Sequence, residues 1–107
     1  MSTAPKSQIL HLAEMVNFQE GSVVSRQVTK ADAGNVTLFA FDVEQGLSEH
    51  TAPFDALVHV IEGEAEVTIS GQPFRLNAGD AIIMPANEPH ALKAVQKFKM
   101  LLTMIRA

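Results

Sequence analysis

The sequence predicts an all-β protein, an antiparallel barrel, from three observations. Short apolar or alternating runs recur along the chain with Gly, Pro, Asn and Asp between them, the pattern of a sandwich or barrel. The run from Glu64 to Ile69 alternates residue by residue, which turns Ala65, Val67 and Ile69 inward and the acids outward. Two further runs, 56–61 and 98–105, are apolar at nearly every position and therefore need cover on both faces.

In chain order the expected strands are 9–16, 21–29, 36–43, 56–61, 65–70, 73–76, 81–84, 90–94 and 98–105. The first has an alternative as a short helix, because Leu12, Met15 and Val16 also fit a 3.6-residue spacing. Ala33-Gly34-Asn35 opens the third strand, and Ser70-Gly71-Gln72 turns a hairpin into Phe74-Arg75-Leu76. Asn77-Ala78-Gly79-Asp80 is a turn whose glycine takes a positive φ. A lone small barrel cannot cover both faces of every strand, so the doubly apolar runs predict a homodimer, with sheet exteriors or N-terminal strands packing on the barrel or on a partner subunit.

Composition narrows the function. A chain of 107 residues is one domain, 1–107, with its barrel core over about 36–105. It is 47% apolar and 19% charged with a net charge of -4, which argues against disorder and gives no general attraction for nucleic acid or an anionic membrane. There is no cysteine, so thiolate catalysis and cysteine-held metals are excluded. Any metal must bind through histidine and oxygen. The start, MSTAPKSQIL, lacks the features of a secretory signal, and no stretch approaches the ~18 apolar residues of a membrane span, so the expected location is the cytoplasm.

Two segments carry the candidate chemistry: GLSEHTAPFDALVHVIEG, containing Gly46, His50 and Glu62-Gly63, and GDAIIMPANEPH, containing Gly79, Pro85, Asn87 and His90. Together they resemble the two halves of the cupin signature, G-x5-H-x-H-x3-E-x6-G followed by G-x5-P-x-G-x2-H. Gly46 precedes His50 by one or two residues fewer than usual, and Asn87 replaces a glycine. Asn is the commonest residue besides Gly tolerated at positive φ, so that turn survives. The resemblance implies a jelly-roll (double-stranded β-helix) barrel with metal ligands from both motifs. At the places of the first motif's two histidines and glutamate stand His50, Ala52 and Ala56, while the second motif supplies His90. Two of the four implied ligands remain.

His50 and His90 are therefore expected to meet at the barrel mouth, where they bind a ligand directly or hold a divalent metal (Fe, Mn, Ni or Zn) with further donors. His59 is the first candidate for an added metal ligand or an acid/base group, and Asp55 the second. The two share strand parity, so both face inward only if a bulge re-aims that strand. As alternatives, His59 is a core or interface histidine and Asp55 a turn cap. Phe39, Phe41, Met84 and Met104 are expected to line a pocket for a small organic ligand, although core packing explains the same residues. Three functions fit: a small-molecule-binding barrel, a metal-dependent oxygenase, isomerase or decarboxylase, and an accessory or sensor module.

Overall fold

A computed structural model describes residues 3–106. Nine strands follow a short 3-10 helix, Leu12–Glu14: β1 (Val23–Ala31), β2 (Gly34–Phe41), β3 (Gly46–His50), β4 (Asp55–Glu62), β5 (Glu64–Ile69), β6 (Gln72–Asn77), β7 (Ala81–Met84), β8 (His90–Ala94) and β9 (Phe98–Ile105). All pairings are antiparallel, in a five-stranded sheet ordered β1-β2-β9-β4-β7 and a four-stranded sheet ordered β3-β8-β5-β6. The sheets pack face to face as a jelly-roll barrel. Turn chemistry follows the residues: Ser70 and Gly71, at φ 48° and 82°, make the two-residue hairpin between Ile69 and Gln72. Gly79 takes φ 93° and Asn87 takes φ 65°, the positive values their turns require.

Strand alternation fills the interior. Phe41, Ala56, Val58, Val60, Met84, Phe98 and Met100 from the larger sheet meet Ala65, Val67, Leu76, Leu92 and Ala94 from the smaller one. At its centre the rings of Phe41 and Phe98, paired across β2 and β9, stack with centroids 4.4 Å apart and planes 6° from parallel. Such a pair contributes about 0.5–1.5 kcal/mol beyond its area burial. Gly63 is required where β4 turns into β5: at φ 86°, a Cβ there would come within 1.9 Å of the Lys97 carbonyl oxygen.

The N-terminal segment does not form the expected strand over 9–16. Its apolar side chains lie against the outer face of the larger sheet, where Leu10, Leu12, Met15, Val16 and Phe18 pack with Val28, Leu38, Ala40 and Leu101. Lys99, buried on that face, ties the segment down by donating to the Ala13 carbonyl at 2.6 Å. Its ammonium also lies 3.3 Å from Glu62 and 5.1 Å from the Phe18 ring centroid. Thus half of the double cover demanded by 98–105 comes from the chain itself: Leu102 is in the barrel interior and Leu101 lies under the N-terminal segment. Among the described residues no helix is long and apolar enough to cross a membrane.

Candidate functional site: a histidine pair at the barrel mouth

His50 ends β3 and His90 begins β8, and the two stand opposite one another across the ladder. A bulge makes this so. Leu47 pairs with Leu92, and two further steps along β8 reach His90, where a regular ladder would place Glu49 opposite. One extra residue in β3 restores the phase and delivers His50 instead. The two imidazoles, 40 residues apart in sequence, approach edge to face with centroids 4.4 Å apart and Nε2 to Nε2 at 3.1 Å. His90 is buried and His50 is exposed at the rim, so the pair is reached from one side.

Each ring is oriented through its other nitrogen. His50 Nδ1 donates to the Ser48 carbonyl at 2.8 Å, and His90 Nδ1 to the Glu88 carbonyl at 3.2 Å. A carbonyl only accepts, so these bonds place each neutral ring's proton on Nδ1 and leave each Nε2 with its lone pair. The loop before His90 is anchored in turn: Asn87 N donates to the Ala52 carbonyl at 2.7 Å, Ala86 N to Asp55 Oδ1 at 2.9 Å, and Ser70 Oγ to Glu88 Oε1 at 2.8 Å. Burial, reinforced by His50 beside it, holds His90 below the usual histidine pKa.

A model of the Cupin domain matches residues 37–106, which include both histidines, the seven strands β3 to β9 and most of β2. The chain belongs to the cupin family. It is similar to a conserved protein of unknown function from Streptococcus pyogenes, at 34% identity over 100% of this chain and 96% of that one, with a TM-score of 0.91. A cupin superfamily protein from Desulfitobacterium hafniense is 28% identical, covering 99% of this chain and 97% of that one, also at a TM-score of 0.91. A Cupin 2 conserved barrel domain protein from Leptotrichia buccalis is 38% identical over 91% of this chain but only 47% of its own, with a TM-score of 0.88. No functionally curated protein matches the sequence.

This cupin brings together only two of the expected metal donors. In β4 the side chains of Ala56, Val58 and Val60 enter the core, so Asp55 and His59, one register step out of phase, stand on the opposite face. The β4 bulge falls between Val60 and Glu62, beyond both, and therefore re-aims neither. His59 lies across from Ala81 and Leu101 on the sheet exterior, and Asp55 serves as the loop cap that accepts Ala86 N. Among the described residues no group of three or more His, Cys, Asp or Glu side chains converges to hold a metal.

The expected pocket residues are core. Phe41 and Met84 are buried in the interior cluster, and Phe39 and Met104 pack against it partly exposed. Three surface depressions of about 420, 260 and 200 Å³ include neither histidine of the pair, and of the expected pocket residues only Met104 lines one, the second. The element missed in the sequence is β3, whose residues Gly46-Leu47-Ser48-Glu49-His50 carry one apolar side chain and read as loop. Its only signal was the shortened spacing from Gly46 to His50.

Proposed function

We propose that this cupin domain binds a small organic molecule at the mouth of its barrel through a divalent metal ion held by His50 Nε2 and His90 Nε2. The observation that carries the reading is the convergence of two imidazole lone pairs whose Nδ1 protons are committed to backbone carbonyls. Two lone pairs at 3.1 Å repel unless a cation or proton lies between them. A proton is disfavoured near neutral pH by the same burial that lowers the His90 pKa. The spacing suits a metal: two nitrogens bound about 2.0–2.1 Å from one ion, at tetrahedral to octahedral angles, lie about 2.8–3.4 Å apart. Imidazole suits iron, manganese, nickel and zinc alike.

The reading is one of binding, and it assigns no reaction: His59, the candidate acid/base group, belongs to the outer face of β4. The test is elemental analysis of protein purified without a histidine tag. About one equivalent of a transition metal, lost in His50→Ala and His90→Ala, is expected. A pair that retains no ion after loading with Mn, Fe, Ni or Zn would overturn the reading.

A homodimer is part of the same proposal. Leu57, Ile83 and Ile105 are exposed on the outer face of β7-β4-β9, with Leu57 directly opposite Ile83. The depression of about 260 Å³ lined by Val36, Thr103, Met104 and Ile105 continues that surface. A second copy suits it: the chain's charge of -4 opposes docking on an anionic surface, and the one carboxylate at this end of β4, Asp55, is turned to Ala86 N.

A further inference from the structure

We propose that the chain carries a second binding site, on the outer face of its larger sheet, for a small monocarboxylate with a compact apolar body. The site is the depression of about 420 Å³ between the N-terminal segment 15–19 and β1, where Arg26 is the one charged lining residue. It is separate from the histidine pair, which stands on β3 and β8 of the other sheet. Its volume falls within the ~300–1,000 Å³ usual for small-molecule sites.

The walls of this depression are held in place. Met15, Val16 and Phe18 belong to the cluster that packs the segment on the sheet, and Val24 joins them from β1. Buried charged side chains pin the segment on both sides: Lys99 donates to the Ala13 carbonyl at 2.6 Å, and the Asp42 carboxylate accepts Gly21 N at 2.6 Å. Between these pins Ser22 N donates to the Gln19 carbonyl at 3.0 Å. The ammoniums of Lys97 and Lys99 lie 5.6 and 5.1 Å from the Phe18 ring centroid and fix that ring in turn. A site whose walls are ordered beforehand loses little entropy when a ligand enters.

Arg26 sets the ligand's charge. It stands across from Leu38, which lies under the N-terminal segment, so its side chain leaves β1 on the outer face beside Val24. The two lysines near Phe18 have carboxylates of their own, Glu62 at 3.3 Å and Asp42 at 3.9 Å, whereas Arg26 has no ion pair among the described residues. Its one hydrogen bond there, from Nη1 to the Met15 carbonyl, is 3.5 Å long, beyond the ~3.2 Å of a well-made bond. A planar guanidinium so placed takes both oxygens of a carboxylate, with the amides of Asn17 and Gln19 in the same depression. One cation on a chain of net charge -4 balances one negative charge, which disfavours a phosphate or a dicarboxylate. Met15, Phe18 and Val24 supply the other half of the recognition, since an apolar body laid on them leaves water and can meet both a ring and a thioether.

The experiment is a titration of the full ¹⁵N-labelled chain with 3-phenylpropionate, followed by backbone amide shifts in two-dimensional NMR. Saturable shifts are expected over residues 15–19 and 24–26, with a dissociation constant on the order of 1 mM. The neutral 3-phenylpropionamide and Arg26→Gln should each weaken binding about tenfold or more, the loss of one charge-assisted bond. Acetate, which has the charge without the body, should also bind about tenfold more weakly or worse. His50→Ala should leave the titration unchanged. Equal binding of the amide to the wild-type chain would overturn the proposal whether or not the Arg26 variant folds. So would an unaltered affinity in a folded Arg26→Gln, equal binding of acetate, or shifts that centre on the histidine pair and vanish in His50→Ala. Absence of any saturable shift up to about ten times the expected constant would overturn it too.

Discussion

His50 Nε2 and His90 Nε2 stand 3.1 Å apart in an edge-to-face ring pair, each nitrogen left without a proton because its ring's Nδ1 proton is held by the carbonyl two residues earlier. The arrangement is symmetric in chemistry and asymmetric in exposure. One ring is at the rim and the other is under it, which makes the inner ring the fixed half of the pair.

Removing either ring should empty the site with different effects on stability. His50→Ala deletes an exposed side chain and should change unfolding free energy by no more than about 0.5 kcal/mol. His90→Ala deletes a buried ring and one hydrogen bond, and should cost about 1–2 kcal/mol. Urea melts give both numbers, and elemental analysis should find background metal in each variant. Stoichiometric metal in either one would contradict the assignment.

The metal-free pair also makes a pH prediction. Burial first, and His50 second, lower the His90 pKa below the ordinary 6.5. A histidine depressed in the folded state stays neutral while the unfolded chain takes up a proton. Stability from this group is therefore present above about pH 6.5 and is lost as pH falls toward the lower folded value. Titration of the His90 Cε1 proton by NMR in chelator-treated buffer should give a midpoint under 6.5. His50→Ala should raise it part of the way, since burial, the larger cause, remains. A midpoint at or above 6.5 in the wild-type chain would count against the geometry.

Much of the barrel was legible in the sequence because strand alternation and turn chemistry are local. Glu64 to Ile69 alternates as one buried face demands, Ser70-Gly71 turns the hairpin, and Asn87 adopts the positive φ expected of a glycine substitute. The site was half legible. His50 and His90 meet as the motif resemblance implied, but the bulge that delivers His50 depends on its register with β8, whose paired residue lies 40 positions away. The phase of β4 is illegible for the same reason: only Val58 and Val60 in the core reveal which side faces inward, and they put His59 on the outer face. The run 9–16 has apolar spacing for a strand or a helix, and the outer sheet face decides that it is neither over most of its length.

Two turn positions should separate backbone strain from side-chain loss. Asn87→Gly keeps the φ of 65° freely accessible and should leave stability within a few tenths of a kcal/mol. Asn87→Val places a β-branched residue there and should cost about 1–2 kcal/mol. Gly63→Ala adds a Cβ that meets the Lys97 carbonyl oxygen at 1.9 Å while holding φ at 86°. It should cost on the order of 3 kcal/mol or prevent folding. Chemical denaturation compares all three, and a neutral Gly63→Ala would show that the β4–β5 turn is built differently.

The last prediction concerns the uncovered sheet face. Leu57, Ile83 and Ile105 are 37%, 60% and 61% exposed, and they lie on neighbouring strands of one face, unlike Val43, which is 45% exposed beyond the far end of β2. Single exposed aliphatics are ordinary, whereas a contiguous group marks a surface that is covered by something. With a second copy as the cover, each Ile83 sits in a water-excluded contact, and a lysine there must either lose its hydration or separate the subunits. Ile83→Lys should therefore give a monomer by analytical ultracentrifugation at concentrations where the wild-type chain is a dimer. Val43→Lys should leave the dimer intact, and both variants should keep the wild-type circular dichroism spectrum, because neither side chain enters the barrel. A wild-type chain that sediments as a monomer at about 100 μM, well above the Kd range of a specific dimer, would leave this face without a second copy and end the dimer proposal.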